Sequence, residues 1–453
     1  MLVKDTKLCL TEMNTKSLLK RSLKEEWSKK RKKSKKEGGK LVFKDQKTVG
    51  SQIVDLFKKK VLVTLCAPPQ WGKTGVSLYV AYKLSLKKIN PENVFFITAM
   101  SDLSWLNQTR ERVLPMWSKN VFHRNTLHKL KDRIFHLREE KKDKNILIIV
   151  DECHIANKID HALGKIIEEL NFKDPSYLQQ RNIKLLQISA TPSNALIDAQ
   201  EWEDLHARVC PRMSKDYVSF QTFIDEDRIR ETYDLQLAEQ SKEYIAEIKK
   251  GQPMYHFVRS VCNGPYGSMV YGSVKQNLKG ECLRSDLDFI ELNMKKSPKE
   301  IKEIYEGLDK RPEKHTILLI KNMLGASKTI SDKFIGSVHE SVPTSKDYSS
   351  EVQGLPGRMC GFNKRRGSGG PKIFCNKSII EDYMTLYLAE FDFLTEDLVW
   401  NDSRLKVREN KITHKESYLS IEIEEEDKGD KGDKGDNYEK PNIYETRLES
   451  SDP

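Results

Sequence analysis

The chain has 453 residues, 38% hydrophobic and 32% charged, with a net charge of +11. That is enough apolar material for two or three packed domains with sizeable solvated segments. The longest apolar runs, such as Ile146–Val150 and Ile317–Ile320, are too short to span a bilayer, the start Met1–Asp5 has no signal-peptide core, and the eight Cys form no Cys-x-x-Cys pair. These features argue against a membrane span, a secreted disulfide framework and a zinc ribbon, and they lead to an expectation of an intracellular protein with buried free thiols.

In chain order, the first feature is a basic arm. Twelve Lys or Arg and three Glu lie between Lys16 and Lys40. Leu19, Leu23 and Trp27 recur at helical spacing, and Glu25 and Glu26 stand four residues before Lys29 and Lys30, so the arm reads as a basic amphipathic helix. Such a segment suits polyanion binding, a nuclear address or a solvated tail. Val61–Cys66 then reads as a buried strand, followed by Ala67-Pro68-Pro69-Gln70-Trp71-Gly72-Lys73-Thr74 and a helix over Thr74–Leu86. A strand, a tight loop ending in Gly-Lys-Thr and a helix cradle phosphates: backbone N–H groups and the helix N-terminus face the anion, the Lys reaches the outer phosphates, and the Thr hydroxyl binds Mg²⁺. Pro68 and Pro69 lack N–H groups, so the cradle must draw on Gln70 to Thr74. Strands follow at Val94–Ile97, Ile146–Val150 and Leu185–Ile188. The all-apolar third strand ends in Asp151-Glu152-Cys153-His154, which places two carboxylates where a nucleotide-hydrolysing site needs one acid for metal and one for water.

His206–Phe223 reads as a connector to a second strand set at Met254–Val261, Thr316–Ile320 and Ile335–Val338. The Gly-rich stretch Asn263–Gly280 reads as a loop or insertion, and Phe362–Lys372 as a flexible basic loop. Beyond about Trp400 the chain turns polar, with eight acids and three Lys from Glu422 to Asp436, and disorder is expected there. The fold class is therefore α/β. The expected domains are a basic N-terminal arm at 1–44, a first lobe at 45–210, a second lobe at 211–395 and a disordered acidic C-terminal tail at 396–453.

Ala67–Thr74, Asp151–His154 and Ser189-Ala190-Thr191 stand in the order and spacing of superfamily 2 helicases and translocases of the DEAD/DEAH-box type. The run Gln353-Gly354-Leu355-Pro356-Gly357-Arg358-Met359-Cys360-Gly361-Phe362 resembles the sixth motif of that superfamily, in a form similar to divergent helicases of large DNA viruses and phages. The resemblance covers roughly Lys47 to Lys372. It implies two tandem RecA-like lobes with parallel central sheets, ATP and Mg²⁺ in the cleft, and a DNA or RNA strand running across both lobes. It implies ATP-dependent movement on nucleic acid or separation of its strands, in the host cell or virion if the chain is viral. The alternative is a nucleotide-gated nucleic-acid clamp that separates nothing.

By the same resemblance, Lys73 holds the outer phosphates, Thr74 and Asp151 serve the metal, and Glu152 orients or deprotonates the attacking water. His154, Ser189, Ala190 and Thr191 couple hydrolysis to lobe movement. Arg358 is the candidate arginine finger and Gln353 its candidate partner at the nucleotide. The chain departs from the family pattern at several points. Ala67 replaces the usual first Gly of the loop, and Gln353 lies one residue further from Gly357-Arg358. The second Arg of the sixth motif falls on Gly361, with Lys364, Arg365 or Arg366 as potential substitutes. Gly325–Thr329 suggests the fifth motif and His256–Arg259 the fourth. Gln46 and Gln52 both qualify as an adenine-selecting glutamine.

Overall fold

The computed structural model describes residues 2–37, 40–101, 103–140, 142–153, 162–260, 267–293, 296–321, 330–341 and 351–392. The acidic tail, His154 and Gly325–Thr329 lie outside the described residues. Residues 1–403 cluster as one compact unit.

Two six-stranded parallel sheets form two α/β lobes. The first contains β1 (Leu62–Cys66), β2 (Val94–Thr98), β3 (Val121–Phe122), β4 (Ile146–Asp151), β5 (Ile183–Ser189) and β6 (His206–Val209), in the spatial order β3-β2-β4-β5-β1-β6. Every pairing is parallel. Helices therefore cover both faces, which is why β1 and β2 are buried at every position and β4 at all but its last residue. β5 stands between β1 and β4, so the chain segments that leave β1 and β4 emerge at the same sheet edge, on either side of β5.

A two-stranded antiparallel ladder joins β7 (Tyr217–Val218) to β13 (Gly361–Phe362). The second sheet contains β8 (Ile229–Arg230), β9 (Tyr255–Arg259), β10 (Asp288–Leu292), β11 (Thr316–Ile320), β12 (Ile335–His339) and β14 (Lys372–Phe374), in the order β10-β11-β9-β12-β14-β8. His206–Phe223 is thus more than a connector, because it supplies the edge strand β6, the ladder strand β7 and the start of the helix Phe220–Asp225.

Two further expectations are corrected. The segment expected as a Gly-rich loop carries the helix Gly267–Ser285, whose Tyr271, Val274, Leu278 and Cys282 recur at three- and four-residue spacing and are buried. A buried stripe outweighs the low helix propensity of Gly272 and Gly280. The basic stretch Phe362–Lys372 is ordered. Lys364 Nζ donates to the Ile330 carbonyl at 2.6 Å, Arg365 N–H to Asp332 at 2.8 Å, and the Arg366 guanidinium to the carbonyls of Lys215 and Tyr217 at 2.6 and 3.1 Å.

The N-terminal arm is one helix, α1 (Leu2–Lys36). It is followed by α2 (Lys44–Leu56), α3 (Lys73–Lys87) and α4 (Leu103–Arg112). α1 docks on the first lobe through fully buried Leu23 and through Trp27, which stacks on Tyr82 of α3 at 4.1 Å and 11°. Burying one such Leu is worth about 1.5–3 kcal/mol.

A pair of histidines is buried in the second lobe. One ring nitrogen of His256 meets Ser337 Oγ at 2.9 Å and the other meets His315 Nδ1 at 3.0 Å. Burial lowers the His256 pKa to about 3, below the ordinary 6.5, with the His315 and Lys372 charges acting in the same direction. The unfolded chain therefore takes up this proton below about pH 6.5 while the folded chain resists it, so stability falls with pH across the window from 6.5 to about 3. By pH 5 the loss from this one residue is about 2 kcal/mol. Urea unfolding at pH 7 and pH 5 tests the attribution. The native chain should lose about 2 kcal/mol more than His256→Gln, and equal losses would move the effect to other groups.

Candidate functional site

β1 delivers the loop Ala67–Thr74 at the C-terminal edge of the first sheet. The Ala67 N–H donates to the Ser189 carbonyl at 3.1 Å, which ties the loop's start to the end of β5. Gln70 and Gly72 both take the left-handed backbone, at φ 59° and 96°. Gly72 suits this backbone, since a side chain at that φ is strained and its Cβ would also displace the Gln46 amide, 2.0 Å away. α3 begins at Lys73, so its first N–H groups and its positive dipole end open onto the loop. Trp71 is buried and lines the same cleft, while Pro69 receives a hydrogen bond on its carbonyl from the buried Tyr217 hydroxyl.

β4 delivers the two carboxylates. Asp151 is its last residue, and Glu152 follows in the left-handed region at φ 54° with its N–H donating to Asp151 Oδ1 at 3.2 Å. A non-Gly residue held there stores backbone strain, and strain of this kind gathers where a side chain must point into a site. Burial and then the neighbouring Glu152 carboxylate raise the Asp151 pKa to about 6, against the Trp105 hydrogen bond and the Lys73 charge. Trp105 Nε1 on α4 donates to Asp151 Oδ2 at 2.8 Å and fixes that carboxylate's orientation. Arg112, also on α4, lines the cleft and contributes positive charge toward Asp151.

The second lobe closes over this edge. Arg358, on the short helix Leu355–Met359, is only 2% exposed. It donates to the Gln353 carbonyl at 2.9 Å. Burial lowers its pKa to about 10 and the Glu152 carboxylate opposes that shift, so the guanidinium stays cationic at neutral pH. Gln353 Nε2 donates to Thr191 Oγ1 at 2.8 Å, and Tyr383 donates to the Ala190 carbonyl at 3.0 Å. Ser189 Oγ accepts from the Thr191 N–H at 3.0 Å. The Ser189–Thr191 tripeptide thus touches the phosphate loop on one side and two elements of the second lobe on the other.

Most of these groups surround one cleft of about 670 Å³, which Ser189, Thr191, Tyr217 and Tyr383 do not line. Its first-lobe wall includes Gln70–Gly75, Asp151, Glu152 and Ala190, and its second-lobe wall includes Gln353, Arg358, Phe362 and Lys364. Gln46 and Phe43 close one end. Gln46 is buried and accepts from the Phe43 N–H at 2.9 Å, whereas Gln52 is exposed, so of the two candidate glutamines only Gln46 reaches the loop. Phe43 lies parallel to Phe362 of the second lobe, at 6.4 Å between ring centroids and 9° between planes. At Gly361, φ is +131° and a Cβ would stand 3.2 Å from Gln70 Cβ, so an Arg would be strained at the position where the resembled motif has its second one. Lys364 lines the cleft with its ammonium on the Ile330 carbonyl, while Arg365 and Arg366 donate to carbonyls elsewhere and do not line it.

Lys73, Thr74, Asp151, Glu152, Gln353 and Arg358 are therefore brought to one cleft. Trp105 and Arg112 join them from a segment without a motif, and Tyr217 and Tyr383 support the cleft by donating to the carbonyls of Pro69 and Ala190. The arrangement presents a cation and helix N–H groups to an anion, two carboxylates beside it, and a second cation from the opposite lobe. Among the described residues no cluster of three or more His, Cys, Asp or Glu could hold a metal by itself, and no helix is long and apolar enough to cross a membrane.

No protein-family model matches the chain. An uncharacterized protein of Acanthamoeba polyphaga mimivirus is 21% identical over 354 residues, covering 73% of this chain and 84% of that protein. Among solved structures, S. cerevisiae Dbp5 bound to RNA and ADP BeF3 is similar at 15% identity and a TM-score of 0.39, covering 76% of this chain and 88% of that one. A Dbp5 variant bound to Gle1 and IP6 is similar at 15% identity and a TM-score of 0.40, covering 81% and 96%.

Proposed function

We propose that this chain hydrolyses ATP in the cleft between its two lobes and uses the cycle to move on, or separate, strands of DNA or RNA. The observation that carries the reading is the meeting of Arg358 from the second lobe with the phosphate loop, Asp151 and Glu152 of the first. Phosphoryl transfer needs little covalent help from a protein; it needs in-line positioning and cations where charge develops, and this cleft supplies both from opposite walls.

In this reading Lys73 and the N–H groups that open α3 hold the β- and γ-phosphates. The Thr74 hydroxyl and the Asp151 carboxylate are hard oxygen donors lining the same cleft, a set that suits Mg²⁺ held jointly with substrate phosphates. When bound, Mg²⁺ neutralises phosphate charge. Trp105 keeps Asp151 aimed at that position. Glu152 orients the attacking water and takes its proton, and Arg358 meets the charge that grows on the γ-phosphate. Gln46 and the Phe43–Phe362 pair form the base end of the cleft. Thr191–Gln353 and Ala190–Tyr383 are the contacts through which the state of the phosphates biases how the lobes pack.

The second reading is a nucleotide-gated clamp on nucleic acid. Gly361 favours it, because the cleft lacks one of the two second-lobe arginines of the family pattern. Phosphate release from Mg·ATP, with and without single-stranded DNA or RNA, tests what both readings share. Turnover that rises with added strands is expected. A chain that releases no phosphate under either condition overturns both.

A further inference from the structure

Lys30, Lys33, Ser34 and Glu37 of α1 line the edge of the cleft, and the rest of the helix's solvent face carries a dense run of positive charge. The helix's inner face is committed to the first lobe. Leu23 is fully buried, Trp27 stacks on Tyr82, Lys30 Nζ donates to the Glu111 carbonyl at 2.6 Å, and Glu26 accepts from the Met116 N–H at 3.2 Å. These contacts hold the helix as a rigid rod. Eight of the eleven exposed residues between Arg21 and Lys36 are Lys or Arg, and only one is acidic. Arg21 pairs with Glu25 at 3.2 Å and Lys33 with Glu37 at 3.8 Å, both as exposed pairs of little energetic worth. Lys24, Lys29, Arg31, Lys32, Lys35 and Lys36 make no ion pair among the described residues.

We propose that this face of α1, which adjoins the interlobe cleft at Lys33, is a second nucleic-acid site that grips the phosphate backbone without reading sequence. The dimensions fit. Sixteen helical residues span about 24 Å, over which one strand of a duplex presents about seven phosphates. The inward commitment of Leu23 and Trp27 argues against an anionic membrane surface as the partner. An interfacial helix needs an apolar face to insert, and this segment has spent its own on the lobe. Flexible cations on a preordered rod offer charge and no base-reading geometry, so affinity is set by phosphate count and salt. The helix is seated on α3, which begins at the phosphate loop, so a strand held there stays attached to the first lobe wherever the second lobe moves.

This site shares a ligand class with the function proposed above and borders the same cleft, but Lys24, Lys29, Arg31, Lys32, Lys35 and Lys36 do not line it, so the two are separable by experiment. In the full chain, Lys24, Lys29, Arg31, Lys32, Lys35 and Lys36 are changed together to Gln, a good helix former that keeps the rod. Binding of a single-stranded oligonucleotide, a duplex and phosphatidylserine vesicles is measured from low to moderate salt, with helical ellipticity and strand-free ATP turnover alongside. Ellipticity and strand-free turnover should hold. Affinity for both nucleic acids should fall on the order of tenfold or more at low salt, and equally for unrelated sequences. The log–log salt slope should flatten by about 0.7 for each phosphate no longer neutralised on single strands, and by about 0.9 for each on duplex. An unchanged slope and affinity overturn the proposal, as does loss of vesicle binding with nucleic-acid binding intact. A chain that never hydrolyses ATP but shows the flattened slope refutes the ATPase reading and leaves this site standing.

Discussion

Arg358→Ala should cut ATP turnover by about 10³–10⁵, the range over which an inserted arginine acts in phosphoryl transfer. The phosphate loop and both acids belong to the first lobe, and Arg358 is the buried second-lobe cation whose charge interacts with Glu152. Its benefit appears only as charge develops on the γ-phosphate, so ATP affinity should change little while turnover collapses. Arg358→Lys should rescue poorly, because a Lys cannot present a planar fork. Steady-state phosphate release and nucleotide affinity, measured on both variants, check this. Near-normal turnover in Arg358→Ala would move the finger to Lys364, the other second-lobe cation on the cleft wall.

Glu152→Gln should lower turnover by about 10²–10⁴, the usual worth of a positioned general base. The side chain keeps its shape and loses its negative charge, so ATP should remain bound. Lys73→Ala differs in kind. It removes a ground-state phosphate contact and should weaken ATP affinity together with turnover. The two variants thus separate binding from chemistry at residues far apart in sequence. Full activity in Glu152→Gln would sink its assignment.

The core of the site was legible because its chemistry is local. Gly72-Lys73-Thr74 follows an all-apolar strand and opens a helix, and Asp151-Glu152 ends another, so each motif carries its own structural context. Arg358 was legible only through resemblance to a family motif. Trp105, Arg112, Tyr217 and Tyr383 were not legible, since each reaches the site through tertiary packing and lies in a segment whose local pattern says nothing about a cleft. Of the two glutamines the sequence offers, Gln46 packs against Gly72 and lines the cleft, a contact that no local pattern announces.

Where the fold departs from expectation, local composition and the buried pattern point in different directions. The glycines of the helix Gly267–Ser285 drew attention from Tyr271, Val274, Leu278 and Cys282, whose spacing already described a buried stripe. Gly272 has open space around it, so the helix tolerates it at the cost of propensity alone. In the stretch after Phe362, cations suggested a solvated loop. There the guanidinium and ammonium groups instead satisfy carbonyls of Ile330, Ile335, Lys215 and Tyr217, which no sequence pattern announces. The short strands β3, β7, β8 and β13 have two residues each and were beyond reach for the opposite reason, because two residues hold no period.

Displacement of a labelled strand from a tailed duplex tests the central claim most directly. The account predicts that the chain releases the strand with Mg·ATP, that a nonhydrolysable analogue fails to support release, and that Glu152→Gln binds ATP and the duplex but leaves the strands annealed. Steady ATP hydrolysis with the duplex left intact and the chain stationary on its strand would contradict ATP-driven movement and leave the clamp.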